Sequence, residues 1–109
     1  MENRDINRLR KRITVRYGQD AADRVAFTED ISQSGIFVKT AQVLPPGKPI
    51  KLEFELYGAM VKVEGTVAWA RRVPPNLIRL AKKGGMGVRI TSFEAGEEAY
   101  LRLLAETER

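Results

Sequence analysis

A chain of 109 residues and 12.3 kDa is long enough for one small hydrophobic core and too short for two, so a single domain over 1–109 is expected. It has no cysteine and no histidine, which excludes disulfides, thiolate metal sites and the usual zinc and general-base chemistry; no metal, no cofactor and no enzymatic activity are expected. The net charge of +5 is unevenly spread: residues 1–16 carry six basic and two acidic side chains, and Arg71, Arg72, Arg79, Lys82 and Lys83 follow with no acid between positions 71 and 83.

Residues 1–11 have no apolar period and read as a flexible basic arm. The start, Met1-Glu2-Asn3-Arg4-Asp5, has no hydrophobic signal region and no stretch is long enough to span a bilayer, so a cytoplasmic protein without membrane contact is expected. A barrel is expected over 12–91. Ile13, Val15 and Tyr17 alternate with Thr14 and Arg16 as in a half-buried strand, Gly18–Asp23 is rich in turn residues, and Arg24–Glu29 returns with Phe27 on the apolar parity.

The returning strand then breaks into Asp30-Ile31-Ser32-Gln33-Ser34-Gly35 and resumes at Ile36-Phe37-Val38-Lys39. Asp30 and Ser32, two apart, offer a carboxylate and a hydroxyl toward one side. Gly35 permits a positive φ or a close backbone approach. Taken alone, this is also the pattern of a turn whose Asp and Ser cap their own backbone.

Leu44-Pro45-Pro46-Gly47 stops the third strand. Ile50, Leu52, Phe54 and Leu56 then alternate cleanly against Lys51, Glu53 and Glu55, and Tyr57-Gly58-Ala59 turns the chain. Val61, Val63, Val67 and Trp69 share a parity that places Trp69 in the core, with Gly65 at a bend or bulge. Within Arg71–Gly84, Asn76 is suited to cap one helical turn carrying Leu77 and Leu80 inward. Met86, Val88 and Ile90 form the last strand. Ser92, Glu94, Glu97 and Glu98 resemble a helix start, and Tyr100, Leu101, Leu103 and Leu104 give the apolar stripe of a C-terminal helix over 92–107. The sum is an all-β fold, a six-stranded antiparallel β-barrel closed by that α-helix.

Arg8-x-x-x-Arg12 before the first strand and Asp30-x-Ser32-x-x-Gly35 after the second together resemble a PilZ domain. The likeness continues through Leu44-Pro45-Pro46-Gly47, Val63–Trp69 and Gly85–Arg89, and covers Arg8 to about Leu104. Arg4/Arg8 and Arg12/Arg16 have the same spacing, but Arg12 directly precedes the strand, which favours the pair Arg8 and Arg12.

The resemblance implies the same barrel and cyclic di-GMP as ligand, bound by Arg8, Arg12, Asp30, Ser32 and Gly35. An arginine fork meets phosphate oxygens or guanine O6 and N7, and its plane stacks on a purine. An ionised Asp30 accepts from guanine N1 and N2, Ser32 adds a hydroxyl bond and Gly35 leaves room for backbone contact. Arg10 is a further candidate as a phosphate contact. So are Trp69 at the ligand's edge, against its core parity, and Arg71 and Arg89 from the barrel side, against ordinary surface charge. An arginine just before the pair is associated in this family with two intercalated ligands; Asn7 stands there and favours one.

The function so implied is a cyclic di-GMP receptor or adaptor whose arm and surface change on binding to regulate a motility, pilus or biofilm partner. The basic Arg71–Lys83 loop is the candidate surface for that partner. One alternative is a nucleic-acid-binding small barrel, suggested by a pI of 9.8 and disfavoured because only Phe37 and Tyr57 are free to stack. Another is a PilZ-like adaptor that binds no nucleotide, disfavoured because all five motif residues are intact.

Overall fold

The computed structural model describes residues 8–78 and 84–107. Alternating apolar residues build six strands: β2 (Thr14–Gly18), β3 (Arg24–Ile31), β4 (Gly35–Lys39), β5 (Pro49–Leu56), β6 (Ala59–Arg71) and β7 (Gly85–Ala95). They pair antiparallel in the order β3-β2-β5-β6-β7-β4, and β4 pairs back onto β3, so the sheet closes into a six-stranded barrel. Closure satisfies both edges of the sheet. A two-residue strand, β1 (Leu9–Arg10), extends the ladder along β3 beyond the end of β2.

The inward residues are those that the period-two pattern selects: Val15 and Tyr17 from β2, Ile50, Leu52 and Phe54 from β5, Val61, Val63 and Val67 from β6, Met86 and Val88 from β7. The β5–β6 hairpin turns in two residues, Tyr57 and Gly58, both at positive φ (53° and 77°), the form whose twist matches the flanking strands. Gly65 lies at a register shift against β7, where a Cβ would stand 2.4 Å from the Arg89 carbonyl oxygen, so the expected bulge is present. Tyr100, Leu103 and Leu104 of α1 (Glu97–Thr107) are buried against the barrel, with the Tyr100 ring 5.3 Å from Phe93 and 6.2 Å from Phe54.

Several expectations are corrected. The helix begins at Glu97, not Ser92: Ser92, Phe93 and Ala95 continue β7 opposite Glu64, Val63 and Lys62, and the turn waits for Gly96 at φ 79°. A long partner strand supplies ladder hydrogen bonds that override a local capping signal. Phe27 faces outward and is 40% exposed, because the register Val15↔Ala26 assigns Ala26 and Thr28 to the inside of β3. Asn76 does not cap a turn; it lies within a single 3-10 turn, Pro75–Leu77, whose Leu77 is exposed. Arg79, Leu80, Lys82 and Lys83 of the basic loop lie outside the described residues, as do Arg4 and Asn7 of the arm.

Part of the segment read as arm is paired. Leu9 and Arg10 lie opposite Ile31 and Asp30, and the Lys11 N–H donates to the Glu29 carbonyl at 2.9 Å. Between β1 and β2 the chain bulges at Lys11-Arg12-Ile13, and Thr28, 1% exposed, fills the gap. Its hydroxyl donates to the Lys11 carbonyl at 2.6 Å and accepts from the Ile13 N–H at 2.9 Å. That bulge swings Arg12 outward.

Candidate functional site

Pairing of β1 with β3 brings two motif residues together: Arg8 Nε lies 4.0 Å from Asp30 Oδ2. The pair stands at the rim of a depression of about 410 Å³, which Ser32, Gly35, Phe37, Trp69, Gly87 and Arg89 also line. A second depression of about 540 Å³ shares Arg8, Asp30, Phe37 and Trp69 with it and adds Arg10, Glu29 and Lys39. Cations outnumber acids around the two, which favours an anion.

The turn from β3 to β4 forms one wall. The Ser32 N–H donates to the Gly35 carbonyl at 2.9 Å, while Ser32 Oγ accepts from the Gly35 N–H at 3.1 Å and the Ser34 N–H at 3.3 Å. Ser32 is 4% exposed, so its hydroxyl first serves to close this turn, the capping role its pattern also allowed. Gly35 uses the close approach rather than a positive φ: a Cβ would stand 2.9 Å from the Val88 carbonyl oxygen on β7. The Ile90 N–H donates to the Ser34 carbonyl at 2.9 Å, so β7 holds the turn from its other side.

The floor is aromatic. Gly87 pairs with Phe37 on one side and Trp69 on the other, and the two rings meet over it with centroids 5.3 Å apart and planes at 44°. A Cβ on Gly87 would stand 2.1 Å from Trp69 Nε1. Trp69 is therefore a surface residue, 45% exposed, and its assignment to the core is corrected. A register shift between Val67 and Trp69 adds a residue to β6 and reverses the parity that Val61, Val63 and Val67 keep. The readable signal was the glycine across the sheet, which an aromatic neighbour covers.

Not all expected residues converge. Arg12 lines neither depression: its guanidinium lies 4.0 Å over the Phe27 ring, beside a separate hollow of about 410 Å³ that also touches Val25, Thr28, Lys39 and Ile78. Arg71 ends β6 opposite Gly85 and lines none of the three. Asn7 is outside the described residues. Sequence reasoning missed Gly87 as part of the floor, and named Phe37 only as an aromatic free to stack on nucleic acid. Among the described residues no cluster of acidic side chains is arranged to hold a metal ion, and no helix is long and apolar enough to cross a membrane.

A family model described as PilZ domain matches residues 2–106. The chain belongs to the PilZ family. The crystal structure of the PilZ domain of CeSA from a cellulose synthesizing bacterium is similar to it, with 20% identity and a TM-score of 0.61 over 94% of this chain and 98% of that one. At that identity the likeness is one of fold. None of the curated proteins matches the chain.

Proposed function

We propose that this PilZ domain is a non-catalytic receptor for cyclic di-GMP, held in the depression between β1, the β3–β4 turn and the Phe37–Trp69 floor. The observation that carries the reading is Arg8 beside Asp30, 4.0 Å apart, lining one depression with an exposed indole. Asp30 accepts from the N1 and N2 donors of a guanine, a donor pair that adenine lacks. Arg8 bonds phosphate or stacks on a purine, Trp69 and Phe37 supply an apolar face for a base, and Arg10 and Arg89 neutralise phosphate. Ser32 and Gly35 hold the turn that presents Asp30. Arg12 joins the ligand by leaving Phe27, and that movement of the arm is the change a protein partner reads, with the Arg71–Lys83 loop as the partner-facing surface.

Calorimetric titration with cyclic di-GMP beside GMP, cyclic di-AMP and single-stranded DNA tests the reading. Saturable binding of cyclic di-GMP alone, at one per chain because Asn7 carries no charge, is expected. A second reading gains from the structure: Trp69 and Phe37 among Arg8, Arg10 and Arg89 also make a stacking platform for single-stranded nucleic acid. Tighter binding of the DNA than of the dinucleotide would favour it.

A further inference from the structure

The wall formed by the β3–β4 turn takes bonds from two other elements, β7 and α1, and α1 comes from the far end of the chain. The Tyr100 hydroxyl, on the first turns of α1, donates to the Ser32 carbonyl oxygen at 2.6 Å. Tyr100 is fully buried, its ring fixed against Phe54 and Phe93, and Tyr100 N–H donates to the Gly96 carbonyl at 3.2 Å where the helix begins. The donor therefore stands in one place whatever the turn does.

The consequence for the depression is local. The Ser32 carbonyl belongs to the peptide unit that enters Gln33, and its direction sets where the chain leaves Ser32 toward Ser34 and Gly35. The amide of Ser32 is committed to the Gly35 carbonyl and its hydroxyl accepts from the Ser34 and Gly35 amides. Those bonds close the turn on itself, and the pairing of Gly35 with Arg89 joins its end to β7. The bond to Tyr100 on one side and that from the Ile90 N–H to the Ser34 carbonyl on the other fix its attitude toward Asp30 and the floor.

We infer that Tyr100 is a positioning residue for the ligand depression: its phenol, reaching from the C-terminal helix, sets the orientation of the Ser32–Gly35 turn and so the affinity for nucleotide. This rests on the proposed binding of cyclic di-GMP. A phenol is required, because phenylalanine keeps the ring's packing and removes only the donor, leaving the buried carbonyl without this partner.

The test compares Tyr100→Phe with Leu104→Ala, a buried residue of the same helix that lines no depression. In the ligand-free protein, amide hydrogen exchange at Gly35 and Ile90 is expected to quicken in Tyr100→Phe relative to Leu104→Ala, with circular dichroism unchanged. Cyclic di-GMP affinity is expected to fall about tenfold in Tyr100→Phe, the worth of one hydrogen bond, and to stay near the parent's in Leu104→Ala. Equal exchange, or equal loss of affinity, in the two variants overturns the inference. The exchange comparison needs no nucleotide, so it decides the role of Tyr100 even if the parent fails to bind, a result that would overturn the proposed function instead. Should Tyr100→Phe not fold, the role is one of stability and the inference also fails.

Discussion

The guanidinium of Arg12 lies over the Phe27 ring, 4.0 Å from its centroid, in a different hollow of the barrel's outer surface from the depression that Arg8 and Asp30 border. A cation over an exposed aromatic ring is held by about 0.5–1 kcal/mol. If Arg12 must leave this seat to meet a ligand, that attraction opposes binding. Phe27→Leu is therefore expected to tighten cyclic di-GMP binding roughly two- to fivefold, read by calorimetry. Unchanged or weaker affinity would mean that Arg12 stays where it is.

Asp30→Ala is expected to keep the barrel and lose ligand. The Arg8–Asp30 contact is a single one at 4.0 Å between an exposed Arg8 and a half-buried Asp30, and contributes little to stability. A carboxylate reading a guanine edge is worth about 1–3 kcal/mol, or roughly 5- to 150-fold in affinity. Melting and titration together separate the two effects, and an unaltered affinity would take Asp30 out of the site.

Thr28→Val tests what fixes the arm. The substitution keeps the volume and removes a buried hydroxyl that bonds both Lys11 and Ile13, leaving an N–H and a carbonyl of the bulge without that partner. A loss of about 1–3 kcal/mol in denaturant unfolding is expected. Faster amide exchange at Lys11 should accompany it, since the two-residue β1–β3 ladder and the Lys11–Glu29 bond then hold the segment without the Thr28 bridge. A silent substitution would assign the bulge to the ladder alone.

Gly87→Ala is expected to move the indole. A methyl cannot stand 2.1 Å from Trp69 Nε1, and the side chain swings aside at less cost than the sheet deforms. Trp69 is the chain's one tryptophan, so its emission reports the change without ambiguity. Nucleotide affinity should fall while the melting temperature changes little. An unshifted emission spectrum would show that the floor accommodates a Cβ.

The β5–β6 turn and α1 are joined by a group that titrates. The Tyr57 hydroxyl donates to Glu106 Oε1 at 2.5 Å, with the Arg102 guanidinium 4.0 Å over the Tyr57 ring and Arg102 Nε 3.0 Å from Glu106 Oε2. The hydrogen bond to Glu106 favours the protonated phenol and raises the Tyr57 pKa above its ordinary value. The stabilisation is thus fully present below about pH 10 and is lost as the pH rises through the higher folded value. Ultraviolet titration of phenolate should find one tyrosine that ionises earlier in Glu106→Gln than in the parent. Identical curves would remove the link.

The barrel was legible because its strands keep strict alternation: Ile50, Leu52 and Phe54 against Val61 and Val63 admit one pairing. What alternation cannot register is an added residue. The shift beside Trp69 reversed one aromatic, and cross-strand register, which no single strand encodes, turned Phe27 outward. Ser92 read as a helix start because its neighbours are acidic, yet the length of β6 decided how far β7 runs. In the site, the motif spacing placed Arg8, Asp30, Ser32 and Gly35 together. It did not reveal the Thr28 bridge that sends Arg12 elsewhere, since that depends on a buried hydroxyl facing a gap in another strand. Nor did it reveal Tyr100, whose bond to the turn spans most of the chain.

β4 meets both β3 and β7, and those pairings are what close the ring of strands. Arg8 and Asp30 arrive early in the chain; Gly87, which lies between the two rings of the floor, and Arg89, which also lines the depression, arrive late. A polypeptide still emerging during synthesis, or cut before β7, carries the recognisable motif and no place for it to act. Pairings between such distant segments are the slow ones in folding. A molecule that binds this depression consequently recognises only finished protein, and by mass action draws newly made chains toward completion.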